Sequence, residues 1–117
     1  MGHVWVSARI GNVDLSRVVE VRALVDTGAT LTVIPRSLAN ELGLAVTGKS
    51  RVETGAGIIE VDRSRAWVEI EGRGEVVPVL VSDIIDKVLI GVTTLEVLGL
   101  EVDPVTGRLR EMRLLLY

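Results

Sequence analysis

The amino-acid sequence predicts an all-β fold interrupted by one or two short helices. Three features carry that expectation. Apolar and polar residues alternate along most of the chain, as they do where a strand buries one face and solvates the other. Turn sequences rich in Gly, Asn and Asp separate the alternating runs. Two segments break the alternation with helical spacing, and each ends on a glycine.

In chain order, "HVWVSARI" (3–10) places Val4, Val6, Ala8 and Ile10 on one parity, and "GNVD" (11–14) turns the chain back. "ALVDTGATLTVIP" (23–35) then runs an apolar strand into Asp-Thr-Gly and directly into a second apolar strand. "PRSLANELGL" starts a helix after Pro35, sets Leu38 and Leu42 one turn apart and stops at Gly43, a residue suited to a left-handed cap. "RVETGAGIIEV" (51–61) reads as an apolar hairpin with Gly55 and Gly57 at its tip. In "DRSRAWVEI" (62–70), Ala66, Val68 and Ile70 face one way while Arg63, Arg65 and Glu69 face the other. "EGRGE" (71–75) and "DPVTG" (103–107) are further turns, so antiparallel hairpins are the simplest connections. "TTLEVLGL" (93–100) predicts the second helix, with Leu95 and Leu98 on one face and Gly99 as its stop. "LVDTG" before the first helix and "VLIGV" before the second suggest an internal repeat in which only the first copy carries an acid.

Length and composition narrow the function. One domain spanning 1–117 is expected, large enough for a core. The 48% hydrophobic content argues against disorder, and with only Trp5, Trp67 and Tyr117 as aromatics that core is aliphatic. A net charge of −3 and scarce aromatic residues argue against a nucleic-acid partner. The absence of cysteine excludes disulfides and thiolate catalysis. The one histidine, His3, makes a metal site an unpromising expectation. No apolar run reaches membrane-spanning length and the N-terminal residues lack a signal-peptide pattern, so no membrane partner is expected and the expected location is cytoplasmic.

Asp26 is the residue that needs an explanation. Asp and Gly favour turns, and Asp-Thr-Gly alone is a common string. Its apolar flanks are not those of a solvated turn: Ala23, Leu24 and Val25 precede it, and Val33, Ile34 and Pro35 follow. "LVDTGATLTVIP", with "VLIGVTTLEVLGL" (88–100) and the glycine-containing hairpin between them in the same order, resembles the aspartic proteases. A single motif in a short chain resembles the retroviral-like (retropepsin-type) branch. The likeness runs over about residues 15–103.

That resemblance implies a closed β-barrel of the acid protease type, assembled as a homodimer in which each subunit supplies one Asp26. It implies an endopeptidase acting on peptide or protein substrates without metal or organic cofactor. Asp26 would be catalytic. Thr27, Gly28 and Ala29 would form the active-site loop, with Thr27 bonding across to the other subunit. Gly55, Ala56, Gly57, Ile58 and Ile59 would form a flap that closes over substrate, and Ile58, Ile59, Val79 or Ile90 would give an aliphatic lining. Apart from the resemblance, the terminal segments "HVWVSARI" and "RLLLY" are apolar and as unpaired edges would invite aggregation, so they are expected to complete the dimer interface. Asp83 and Asp86 read as a solvated loop, and Asp103 as a turn residue. Two features depart from the viral pattern: Thr30 and Leu31 stand where an acid commonly binds substrate backbone, and a hairpin and apolar tail follow the second helix. The first favours a competing reading, a peptide-binding or dimerisation module on the same fold with little or no turnover. A nucleic-acid-binding β-barrel is a third, weaker alternative.

Overall fold

The computed structural model describes residues 3–113 together with 115 and 116. Its strands are β1 (Val4–Gly11), β2 (Val18–Val25), β3 (Thr32–Pro35), β4 (Gly48–Thr54), β5 (Gly57–Ile70), β6 (Arg73–Ser82), β7 (Leu89–Ile90), β8 (Leu100–Val102) and β9 (Leu109–Glu111). Two helices, α1 (Arg36–Leu42) and α2 (Val92–Leu98), follow β3 and β7.

The four expected hairpins form. β1 pairs with β2 from Val4↔Val25 to Gly11↔Val18, β4 pairs with β5, β5 pairs with β6, and β8 pairs with β9 as a separate two-stranded sheet. Between β5 and β6 the turn is two residues long, with Glu71 at φ 53° and Gly72 at φ 79°. Two consecutive positive φ values match the right-handed twist of the flanking strands, and glycine takes one of them at no steric cost.

Closure of the sheet was not visible in the hairpins. The main sheet runs β1-β2-β7-β3-β6-β5-β4, and β1 also pairs with β5 over Ala8–Gly11, so six strands form a ring with β4 outside it. Two of the ring pairings, β2–β7 and β3–β6, are parallel. The segment β1-β2-β3-α1 is thus matched by β5-β6-β7-α2, and exchanging the two exchanges the parallel pairs. The repeat suggested by the sequence is present with a corrected register. The strand before α1 is β3, and it pairs with its counterpart β7 at Val33↔Leu89; the Asp26 loop lies one strand earlier.

Inside the ring the core is aliphatic. Ile10, Ile34, Ile70 and Ile90 are almost wholly buried with Val68, Val77 and Val79. Each such side chain contributes roughly 1.5–3 kcal/mol through lost water contact. Leu42 of α1 and Leu95 and Leu98 of α2 close the core from outside the strands. Both helices stop as expected, at Gly43 (φ 68°) and Gly99 (φ 73°). Leu44 N–H bonds the Ala39 carbonyl at 2.9 Å in the first of these caps. Arg73 on β6 donates to the Leu98 and Gly99 carbonyls, satisfying free acceptors at the end of α2.

One expectation about edges is corrected. β1 lies within the ring, with β2 along its whole length and β5 along Ala8–Gly11, so among the described residues only its Val4–Ser7 half has a side without a strand partner. Among the described residues the last strand is Leu109–Glu111, ahead of "RLLLY"; Leu115 and Leu116 are exposed outside any strand, and Leu114 and Tyr117 lie outside the described residues. Among the described residues no helix is long and apolar enough to cross a membrane.

Candidate active site

Asp26 follows the last residue of β2, where the strand must leave the ring before β3 begins. Its N–H donates to the Ile90 carbonyl at 2.9 Å, which ties the loop to β7. Ala29 N–H donates to the Asp26 carbonyl at 3.0 Å, and Gly28 N–H donates to the Asp26 side chain at 3.0 Å. A Cβ on residue 28 would stand 3.3 Å from that carboxylate oxygen, so glycine gives the carboxylate room. Thr27 and Gly28 are exposed, while Asp26 and Ala29 are half-buried.

The far side of the loop is held by α2. Val92 N–H donates to the Ala29 carbonyl at 2.9 Å and Thr93 N–H to the Thr30 carbonyl at 3.0 Å. These are among the first N–H groups of a helix, which have no partner inside it, and the loop supplies their acceptors. Gly91, between β7 and α2, permits the approach: a Cβ there would lie 2.5 Å from the Leu31 carbonyl carbon.

A cleft of about 730 Å³ opens beside Asp26. Gly28 to Leu31 line it with the carboxylate, Val33, Leu80 and Leu89 supply apolar walls, and Ser50–Thr54 of β4 bound the other side. β4 is the outer strand of the main sheet and among the described residues pairs only with β5, which leaves its second edge without a strand partner there. An extended peptide is the chemical object that suits such a cleft, because a free strand edge offers main-chain donors and acceptors.

Of the expected site residues, the structure brings Asp26, Gly28 and Ala29 to the cleft and places Thr27 on the exposed side of the same loop. Gly55 and Ala56 form the turn of the β4–β5 hairpin, with Thr54 Oγ1 accepting from Ala56 N–H and donating to the Gly57 carbonyl. Gly57 has φ 118°, and Ile58 and Ile59 are solvent-exposed at 58% and 37%. In the single chain these tip residues stand clear of the cleft lining. The aliphatic lining expected from Val79 and Ile90 is corrected: both are fully buried in the core, and their neighbours Leu80 and Leu89 face the cleft. "EVVPVLV" is apolar on both parities, so periodicity did not distinguish core from cleft. Leu80, Leu89, Val33 and Ser50–Thr54 were therefore missed; the glycine-tipped hairpin read over 51–61 pointed only to the neighbourhood of the last of them.

An ionic cluster ties down the base of that hairpin. Arg36, the first residue of α1, reaches Asp83 at 2.9 Å and Asp62 of β5 at 2.8 Å, and Lys49 of β4 reaches Asp62 at 3.0 Å. Lys49 and Arg36 together hold the Asp62 carboxyl below its ordinary range, and Arg36 does the same for Asp83. Asp62 in turn raises Lys49. Asp83 is thus a partner in this cluster. Asp103 keeps the structural role its turn suggested, accepting from Val105 N–H at 2.8 Å.

A ring of strands closed by two parallel pairs, with an Asp-Thr-Gly loop opening into a hairpin-bounded cleft, defines an acid protease architecture. Residues 6–102 match the family model described as aspartyl protease, and the chain belongs to that family. Among solved structures it is similar to an EIAV protease complexed with the inhibitor HBY-793, at 20% identity and a TM-score of 0.65, covering 98% of this chain and 94% of that one. It is also similar to the Simian Foamy Virus (mac) protease in solution, at 21% identity and a TM-score of 0.58, covering 79% and 91%. At these identities the likeness is one of fold, and it establishes the retropepsin-like barrel. No curated protein sequence matches the chain.

Proposed function

We propose that the chain is an aspartic endopeptidase whose active species is a twofold dimer, with Asp26 of each subunit forming the catalytic dyad. The observation that carries this reading is the position of Asp26: half-buried, held by Gly28, and opening into a cleft walled by Leu80, Leu89 and Ser50–Thr54 of β4. One carboxylate per chain cannot act as base and acid at once. Two in contact cannot both ionise, so they share one proton. The ionised Asp26 takes a proton from water as the water oxygen bonds to the scissile carbonyl carbon. The protonated Asp26 gives its proton to the carbonyl oxygen, leaving a tetrahedral diol. A proton then passes from the dyad to the amide nitrogen, the C–N bond breaks as one diol hydroxyl returns its proton to the other Asp26, and a carboxylic acid and an amine leave with the singly protonated dyad restored.

The β4–β5 hairpin acts as the flap in this reading, bringing Gly55–Ile59 over the bound peptide and excluding water. The competing reading of a binding module with little turnover is favoured by Thr30 and Leu31, which provide no second acid on the cleft floor. Digestion of a peptide library by wild type and by Asp26→Asn, from acidic to neutral pH, separates the two. The protease reading expects cleavage by wild type and a loss of about 10²–10⁴-fold or more in the variant. Library peptides bound by both proteins and cut by neither would favour the binding module.

A further inference from the structure

Thr32 and Thr94 are an anomaly in this core. Both side chains are essentially inaccessible, in an interior filled mainly with Ile, Leu, Val and Ala where Ser64 is the one other buried polar side chain among the described residues, and their hydroxyl oxygens lie 2.6 Å apart. Thr32 Oγ1 also accepts from Gly91 N–H at 3.1 Å. Buried hydroxyls cost free energy unless paired, and replacing both partners by apolar groups of the same shape is often neutral. Two valines would fill the same space. What they would not supply is direction, since a hydrogen bond fixes distance and angle where apolar contact allows sliding.

The pair sits where direction matters. Thr32 opens β3, immediately after the Asp26 loop, and Thr94 lies in the first turn of α2. The segments they join are already laced by backbone bonds, from Leu24 N–H to the Val88 carbonyl at 3.0 Å, Asp26 to Ile90, Val92 to Ala29 and Thr93 to Thr30. These four bonds share one alignment of residues 88–93 against 24–30, and Gly91 sits too close to Leu31 for that alignment to be loose.

We propose that the buried Thr32–Thr94 hydroxyl pair, with the Gly91 N–H it accepts, positions Asp26 by locking α2 and β7 against the active-site loop. This rests on the protease reading for its catalytic consequence, though the lock itself is a property of the folded chain. Thr32 and Thr94 touch no substrate; they act through residues 26–31.

Amide hydrogen exchange read residue by residue tests the lock without reference to activity. In Thr32→Val, exchange at Asp26, Ala29, Val92 and Thr93 is expected to accelerate at least tenfold more than at Ala66 and Val77 in the β5–β6 pair. Thr32→Ser should restore the wild-type pattern. Equal acceleration at both sets, or none at either, would overturn the proposal, because a merely structural hydroxyl would loosen the whole barrel together or not at all. Should Thr32→Val fail to fold, Thr94→Val keeps the Thr32–Gly91 bond and carries the same comparison. On a peptide cut by wild type, Thr32→Val should lower kcat at least tenfold with KM within about threefold, again restored by Thr32→Ser. Unchanged kcat would remove the catalytic consequence. If wild type cuts nothing, the protease reading fails on that arm, and the exchange pattern still decides the lock.

Discussion

At the scale of single residues, the site depends on two places where backbone and side chain approach unusually closely. Asp26→Asn keeps the oxygen that Gly28 N–H bonds, so the fold should persist with a melting temperature within about 2 °C of wild type, since an isosteric change at a half-buried site that keeps its hydrogen bond costs little. Gly91→Ala is the opposite case. Its methyl would lie 2.5 Å from the Leu31 carbonyl carbon and 2.9 Å from Thr32 N, both backbone atoms that cannot turn aside. We expect a loss of at least about 2 kcal/mol in chemical denaturation, the size of an overpacked core change. A loss under about 0.5 kcal/mol would mean that the loop moves freely away from α2. Asp26 was legible in the sequence because its apolar flanks exceed what a turn needs. Thr32 and Thr94 were not, because a threonine in a strand or short helix carries no sign that its hydroxyl is buried against another 62 residues away.

At the scale of elements, the β4–β5 hairpin is free at its tip and tied at its base. Gly57 has open space for a side chain, so the obstacle to substitution is its φ of 118° alone. Gly57→Val should cost about 1–3 kcal/mol of local strain, felt in turnover more than in global stability because the exposed tip contributes little to the core. Equal turnover would reduce the hairpin to an ordinary turn. The base yields a pH dependence. Asp62 and Asp83 titrate below their ordinary range, so their folded pKa values lie under the unfolded value of about 3.9. The stability they add is therefore complete above the unfolded value and is lost as pH falls through the folded one. The melting-temperature gap between wild type and Asp62→Asn should be constant above about pH 5 and close below about pH 4. A gap that widens on acidification would contradict the ion-pair assignment. High salt should narrow it at neutral pH, since these charges are partly exposed. Hairpins and helix stops were readable from sequence because each is decided within a few residues, by Glu71-Gly72, Gly43 and Gly99. The parallel pairs β2–β7 and β3–β6 were not, because their partners are brought together only by closure of the ring.

At the scale of the whole molecule, the proposed mechanism makes assembly the condition for chemistry, because each chain carries one Asp26. In that proposal an isologous pairing that sets the two Asp26 loops together supplies the second carboxylate. Specific activity should then fall on dilution below the dimer dissociation constant, tracked by sedimentation in the same concentration range; full activity from a sedimenting monomer would leave Asp26 without a partner. The resemblance in sequence extended to the class of fold and to the acid, and the ring bears out the barrel. How two chains meet was not legible, because contacts between chains are decided by surfaces that only the folded barrel brings together: β1 gives one side to β2 and half of the other to β5, and Leu115 and Leu116 lie outside any strand. The most direct test is the specific activity of two subunits joined by a flexible linker, comparing the wild-type pair with a pair in which one subunit carries Asp26→Asn. A shared dyad predicts that the mixed pair retains less than about one hundredth of the activity, since general acid–base catalysis by the missing partner is worth about 10²–10⁴-fold. Retention of half the activity would mean that each Asp26 works alone, and would contradict the account.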